Sequence, residues 1–179
     1  EIALSLVGSE MCIRDSSLLE SIDFEKNNNI LIIQSLSKTA GLAGLRIGFT
    51  FGNKNLINYI NKVTGPYDVN SFAITAALAA LKDKSYIDNY VLEVKKARQW
   101  IFNKFKSTNI RTHFSGGNYF LIWPKKDPAI LIQQMREKGI LIRSMENKKD
   151  IGKSIRVSIG TKEQMIFFWE NYKVLDLIN

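Results

Sequence analysis

The chain has 179 residues, of which 45% are hydrophobic and 11% aromatic, and its formal net charge at pH 7 is +8. This length allows one ordinary domain or a piece of a larger protein, and the apolar content suffices for a packed core. No stretch approaches the roughly eighteen uncharged apolar residues of a membrane span, and the start lacks the features of a signal peptide. We therefore expect a globular, cytoplasmic protein without a membrane partner.

The cysteine and histidine content argues against a metal site. Cys12 and His113 are each the single residue of their type, so we expect neither an internal disulfide nor a zinc centre. Lysines and arginines alternate with acids, as in residues 82–84 and 136–138. That scatter favours a solvated surface over nucleic-acid binding, although a basic binding module stays open as an alternative.

Residues 1–16 lack the regular hydrophobic pattern of the rest of the chain. They show no sustained period of 2 or 3.6, and residues 6–16 resemble a translated sequencing-library adapter. We expect residues 1–16 to be read-through at the broken end of an assembled gene and not part of the fold. An ordinary loop is the alternative.

From residue 17 onward, hydrophobic periodicity predicts alternating strands and helices. The apolar run at residues 30–33 predicts a buried strand, and the long helix that follows an alanine-rich helix has an apolar face. The predicted strands are 30–33, 47–51, 111–114, 119–123, 140–143 and 154–159, and the predicted helices are 54–63, 71–81, 85–106, 128–138 and 162–175.

This order of elements predicts two structural parts. Residues 17–88 read as α/β, and residues 89–179 read as a small α+β domain. The long helix between them is the natural hinge.

One segment combines residues that can bind an anionic cofactor. Lys38 follows the strand at residues 30–33, where α/β proteins place ligands, and a lysine there suits an amine that condenses with an aldehyde. Ser35, Ser37 and Arg46 could together bind a phosphate. Gly41, Gly44 and Gly48 would let the backbone pass close to a ligand. For an isolated Ser-Lys pair, an exposed surface lysine would be the better interpretation.

The whole segment from Ser35 to Gly48 resembles the cofactor-lysine signature of fold-type I enzymes that use pyridoxal 5'-phosphate (PLP). The resemblance implies the C-terminal part of the large domain of that fold, followed by its small α+β domain. It also implies that Lys38 holds PLP covalently and that Ser35, Ser37 and Arg46 hold the PLP phosphate. We expect Lys38 at the C-terminal end of a parallel strand.

Residues 65–71, Gly-Pro-Tyr-Asp-Val-Asn-Ser, resemble the Pro-Tyr-Asn-Val-Asn segment of histidinol-phosphate aminotransferases, although Asp68 replaces the usual asparagine. A plain proline turn before a helix is the alternative. Arg143 and Arg156 match the two C-terminal arginine strands of that family, which implies binding of the substrate phosphate and, for Arg156, of a carboxylate. Asn118 matches an asparagine that could approach the substrate, or it could cap its turn. We expect both arginines on neighbouring strands, with Arg156 facing Lys38.

The resemblance implies amino transfer between glutamate and imidazole-acetol phosphate, giving 2-oxoglutarate and histidinol phosphate, by a homodimer. Another fold-type I enzyme, such as an aromatic aminotransferase or a threonine-phosphate decarboxylase, stays open. The family's upstream half, with the acid that pairs with the PLP ring nitrogen, has no counterpart in these residues. We therefore expect the chain as written to be inactive.

Overall fold

A computed structural model of the chain describes residues 18–178. The chain forms two compact units, one ending at Val91 and the other beginning at Leu92. This division falls inside the long helix that the sequence indicates as a hinge, while the predicted domain limits themselves stay a prediction. The adapter-like segment at residues 6–16 lies outside the described residues.

The first unit contains a two-stranded sheet. After a 3-10 turn at Leu18–Glu20, β1 (Leu31–Ser35) pairs with β2 (Gly48–Gly52) in antiparallel register, with Ser35 opposite Gly48. The expectation of a parallel, buried strand is therefore wrong for the described residues. Ile33 is 45% exposed, because two strands alone do not enclose their apolar side chains.

Two helices complete the compact part of this unit. α1 (Lys54–Asn61) and α2 (Ser71–Lys82) each begin at an asparagine whose side chain accepts a backbone N–H of the first turn, Asn53 from Asn55 and Asn70 from Ala73, both at 2.9 Å. These caps stabilise the helix starts because the first backbone donors have no partner within the helix. α2 buries Ala73 and Ala77 but leaves Phe72 83% exposed.

The longest helix, α3 (Lys84–Lys106), has 23 residues. Its buried residues are Val94, Ala97, Ile101 and Phe105. They are three or four residues apart and form the predicted apolar face. Neither this helix nor any other within residues 18–178 is apolar enough over a sufficient length to cross a membrane.

Within residues 92–178, the second unit contains four strands and two further helices, which are β3 (Arg111–Phe114), β4 (Tyr119–Trp123), α4 (Pro128–Glu137), β5 (Arg143–Ser144), β6 (Ile155–Ser158) and α5 (Lys162–Tyr172). The strands form an antiparallel sheet in the order β3-β4-β6-β5, with helices against one face. Phe120 and Ile122 of β4 and Ile155 and Val157 of β6 lie on that face and are buried. The ring of Phe105 in α3 lies 5.7 Å from that of Phe120 and 5.3 Å from that of Tyr172 in α5.

The predicted strand at residues 140–143 is wrong for most of its length, since β5 contains only Arg143 and Ser144. The reason lies at the end of α4. Gly139 has a φ of 77°, and the N–H groups of Gly139 and Ile140 donate to the carbonyls of Arg136 and Met135 at 2.9 Å. This pair of hydrogen bonds is a Schellman motif. Ile140, the first residue of the predicted strand, therefore belongs to the cap of α4 instead.

The last helix is shorter than predicted and continues as a π-helical turn at Lys173–Leu177. This turn places Asp176, which is 1% exposed, beneath the loop after β4. Its carboxylate accepts from the backbone N–H of Lys125 at 3.1 Å, from that of Lys126 at 2.8 Å and from the hydroxyl of Tyr172 at 2.6 Å. The C-terminal turn thus fixes the connection between β4 and α4.

Candidate active site

Two serine hydroxyls lie together at the end of β1. The Ser35 hydroxyl donates to that of Ser37 at 2.6 Å, and the backbone N–H of Ser37 donates back to the Ser35 oxygen at 3.1 Å. The local chain therefore brings two of the sequence-predicted phosphate ligands to one point. The Ser37 hydroxyl keeps its own proton for a further acceptor, such as an anion.

Lys38 follows this serine pair in a tight turn. The carbonyl of Leu36 accepts hydrogen bonds from the N–H groups of Ala40 at 3.3 Å and Leu42 at 3.2 Å, and Gly41 has a φ of 69°, which favours glycine. The turn leaves Lys38 exposed. Among residues 18–178, no carboxylate pairs with its amine.

The turn is anchored on α2 at both of its ends. Leu36 and Ile47, each 8% exposed, pack with Ala73 and Ala77 in one buried cluster. The small alanine side chains let the turn lie close to the helix. The lysine segment and the alanine-rich helix, which are separated in the sequence by α1, therefore pack together as one structural unit.

Arg46 and Gly48 show backbone geometry that constrains the end of this segment. Arg46 has a φ of 53°, in the left-handed region that non-glycine residues rarely adopt, and its side chain is exposed. A Cβ on Gly48 would lie 2.8 Å from the carbonyl oxygen of Gln34. The β1–β2 pairing thus itself requires glycine at position 48. Close approach of this backbone to a ligand stays a prediction.

Arg143 and Arg156 are directly opposite each other in the β5–β6 ladder. The expectation that they lie on neighbouring strands is confirmed. Arg143 is exposed and Arg156 half-buried, and no carboxylate of the described residues pairs with either. Opposed residues of an antiparallel pair share a face, so two cations meet on the sheet face away from the helices. This arrangement is suited to an anionic ligand.

The sequence profile of the family described as aminotransferase class I and II matches residues 9–167. The chain belongs to this family. Its matched part begins inside the adapter-like segment and ends within α5. The non-enzymatic binding module is accordingly not supported.

Similarity to curated proteins and to solved structures is consistent with this family. A histidinol-phosphate aminotransferase from Clostridium botulinum is 37% identical over 150 residues, which cover 81% of this chain and 42% of the relative. The solved histidinol-phosphate aminotransferase of Clostridium acetobutylicum is similar over 89% of this chain and 49% of its own, with a TM-score of 0.78 and 24% identity. An L-threonine-O-3-phosphate decarboxylase from Porphyromonas gingivalis covers 85% of this chain and 48% of its own, with a TM-score of 0.68 and 24% identity.

These comparisons establish the fold class and the cofactor of the family. The aminotransferase chain has the fold-type I architecture and spans less than half of the length of the curated relative it matches. Enzymes of this family use PLP. The chemistry of the lysine segment fits that group, since it offers a primary amine, two clustered hydroxyls and a guanidinium. The assignment of Ser35, Ser37, Lys38 and Arg46 to PLP stays a prediction.

Asn118 follows a turn that the second unit of this aminotransferase chain holds at several points. Its backbone carbonyl accepts from the N–H of Ile159 at 2.7 Å, while its side chain forms no hydrogen bond within residues 18–178. The guanidinium of Arg98 in α3 donates to the carbonyl of Ser115, and burial lowers the pKa of Arg98. The alternative in which the Asn118 side chain caps the turn is not observed, and a role toward substrate stays a prediction.

The two groups of predicted residues occupy different units of the chain. The lysine segment lies before Val91 and the arginine pair after Leu92. The expectation that Arg156 faces Lys38 therefore stays a prediction.

Metal ligands do not cluster in the described part of the aminotransferase chain. No three His, Cys, Asp or Glu side chains come together within residues 18–178. His113 is exposed in β3, and Cys12 lies outside the described residues.

The sequence reasoning missed one side chain beside the arginine pair. The guanidinium carbon of Arg156 lies 5.1 Å from the centre of the Tyr119 ring. Successive side chains of a strand point to opposite faces, so the sequence of β4 could have placed Tyr119 and Leu121 on one face. Finding the contact also required the register that sets Leu121 opposite Arg156.

Proposed function

We propose that the complete protein transfers an amino group between glutamate and imidazole-acetol phosphate, giving 2-oxoglutarate and histidinol phosphate, a step of histidine biosynthesis. The observation that carries the proposal is the opposed pair Arg143 and Arg156, which lacks a carboxylate partner in the described residues. A phosphorylated substrate supplies the missing negative charge. The 37% identity to a histidinol-phosphate aminotransferase supports the choice of substrate.

Each residue has a role that follows from its chemistry. Arg143 and Arg156 bind the substrate phosphate, and Arg156 binds the carboxylate of glutamate in the other half of the reaction, since a planar guanidinium accepts either anion in its fork. Ser35, Ser37 and Arg46 bind the phosphate of PLP. When bound, PLP acts as an electron sink for the substrate carbon.

Lys38 acts in two ways in this proposal. Its Nζ would hold PLP between turnovers and, when free, would take the proton from the substrate α-carbon. Exposure of Lys38 within its turn lets the amine reach both positions without unfolding the anchored ends at Leu36 and Ile47. Asn118 contacts the substrate, and the complete enzyme is a homodimer.

A second candidate is another fold-type I activity, either aromatic amino transfer or decarboxylation of threonine phosphate. The observation that favours it is Asp68, which stands where the histidinol-phosphate enzymes have asparagine. Its carboxylate accepts the N–H of Gly65 at 2.9 Å. A carboxylate in this loop disfavours a further anionic group nearby, which favours an aromatic substrate over a phosphorylated one.

The test joins residues 18–179 to the upstream part of the C. botulinum relative and measures glutamate-dependent transfer to imidazole-acetol phosphate and to aromatic 2-oxo acids. We expect the phosphorylated acceptor to be preferred and the 179-residue chain alone to be inactive. Lys38→Ala should abolish transfer together with the visible absorption band of bound PLP, whereas the matched Lys54→Ala should retain both. Preference for aromatic acceptors, or release of carbon dioxide from threonine phosphate, would establish the second candidate instead.

A further inference from the structure

The ring of Tyr119 lies beneath the guanidinium of Arg156 on the outer face of the second unit's sheet. Ser158 is opposite Tyr119 and Leu121 is opposite Arg156, so Tyr119 and Arg156 are diagonal neighbours on one face. The distance from the guanidinium carbon to the ring centre is 5.1 Å, within the range of a cation–π interaction. Tyr119 and Arg156 are both half-buried.

The turn before β4 provides the room for this ring. A Cβ on Gly117 would lie 3.2 Å from Cε1 and 3.4 Å from Cδ1 of Tyr119, so an alanine there would require the ring to shift by a few tenths of an ångström. The turn is itself fixed, because the N–H of Gly117 donates to the Ser115 hydroxyl at 3.2 Å and Arg98 donates to the Ser115 carbonyl. The ring thus has a defined position before any ligand binds.

We propose that Tyr119 is a positioning residue that holds Arg156 ready for its anionic ligand, an inference that rests on the proposed function. Arg143 is directly opposite Arg156 and repels it, so an unrestrained Arg156 would turn away when no anion is present. The ring face attracts the guanidinium and restricts its rotamers. The N–H donors lie in the guanidinium plane, so a ring against the flat face leaves them free for a phosphate or carboxylate.

The same sheet face contains a matched control. Arg111 lies over the Trp123 ring at 4.1 Å, and the two residues are opposite each other in the β3–β4 ladder. This pair has the same chemistry as Tyr119 with Arg156, but Arg111 lies on the edge strand β3 and has no second arginine opposite it. Trp123→Leu therefore tests the loss of an aromatic ring on this face without changing Arg156.

The kinetic experiment uses residues 18–179 joined to the upstream part of the C. botulinum relative. Tyr119→Leu should raise the KM for histidinol phosphate and the inhibition constant of inorganic phosphate by about three- to thirtyfold, as loss of a cation–π contact predicts. We expect little change in kcat. Tyr119→Phe keeps the ring and should retain the parent values, as should Trp123→Leu.

A double-mutant cycle separates positioning from a general structural effect. Tyr119→Leu should add much less to the KM of Arg156→Gln than it adds to that of the parent, because the restrained group is already gone. Gly117→Ala, which shifts the ring by a few tenths of an ångström, should raise KM by a smaller factor than Tyr119→Leu and serves if the leucine variant unfolds. In NMR spectra of the parent, the Arg156 Nε–H signal should show a ring-current shift that Tyr119→Leu removes.

The outcomes distinguish the two proposals. If Arg156→Gln leaves both the KM and phosphate inhibition unchanged, the proposed anion site is wrong. If Arg156→Gln raises the KM but Tyr119→Leu behaves like Tyr119→Phe, the anion site stands and the positioning role of Tyr119 is overturned. Additive effects of the two substitutions would overturn it as well.

Discussion

Arg143 lies directly opposite Arg156 across the β5–β6 ladder, and no carboxylate in the described residues neutralises the pair. Like charges in this relation destabilise a sheet by about 0.2–1 kcal/mol. We therefore expect Arg143→Gln to leave the unfolding free energy unchanged or to raise it by roughly that amount. Phosphate should stabilise the parent more than the variant, as measured by thermal unfolding with and without the anion.

Arg136 provides the control for this prediction. It is exposed on α4, so Arg136→Gln changes the net charge equally without touching the pair. Equal phosphate stabilisation of the Arg143 and Arg136 variants would show that phosphate stabilises the protein through its net charge and not by binding at this site.

Gly48→Ala should destabilise the first unit, because the new Cβ would lie 2.8 Å from the Gln34 carbonyl oxygen, which belongs to the paired backbone of β1. Relief of such a clash requires movement of a strand and costs about 1–3 kcal/mol. Denaturant unfolding measures the loss. Since Ser35 is opposite Gly48, we also expect weaker PLP binding.

Gly44→Ala is the companion substitution in the same segment. Within residues 18–178, no atom outside its chain neighbours and its own 3-10 turn lies within 4 Å of the position of its added Cβ, and its backbone is not in the left-handed region. We expect no loss of stability. Equal destabilisation by both alanine substitutions would contradict the steric argument for Gly48.

Asp176→Asn should destabilise the second unit by about 2–4 kcal/mol, because a buried carboxylate that accepts three hydrogen bonds would be replaced by a group with a donor facing other donors. The measurement is the free energy of unfolding in denaturant. Asp150→Asn, in an exposed loop, should change it little. A small effect at Asp176 would mean that the C-terminal turn does not hold the β4–α4 connection.

Tyr172 makes the free energy of unfolding depend on pH in the alkaline range. Burial, and then the hydrogen bond to Asp176 and its charge, raise the pKa of Tyr172 above the ordinary value near 10. The folded state therefore keeps a proton that the unfolded state loses, so this contribution is complete below about pH 10 and declines as the pH rises further. Tyr172→Phe should flatten the fall in unfolding free energy between about pH 9 and about pH 11. An unchanged slope in the phenylalanine variant would refute this linkage.

Local chemistry explains why much of the molecule could be predicted. Strands β3 and β4 have the predicted bounds, and α1 and α2 begin at the predicted residues 54 and 71, directly after the capping side chains of Asn53 and Asn70. The predicted strand at residues 140–143 failed because Gly139 and Ile140 serve the end of α4. Periodicity could not reveal this competition, since apolar residues suit both a strand and a helix cap.

The sequence by itself determined the family, the fold class and the lysine segment, because these depend on residues that are contiguous or regularly spaced. Only the tertiary structure decided that Arg143 is opposite Arg156, that the Tyr119 ring lies under Arg156, and that Gly48 meets Gln34. These relationships depend on strand register. Register arises from packing between distant segments, and a shift of one residue would turn each of these side chains to the other face.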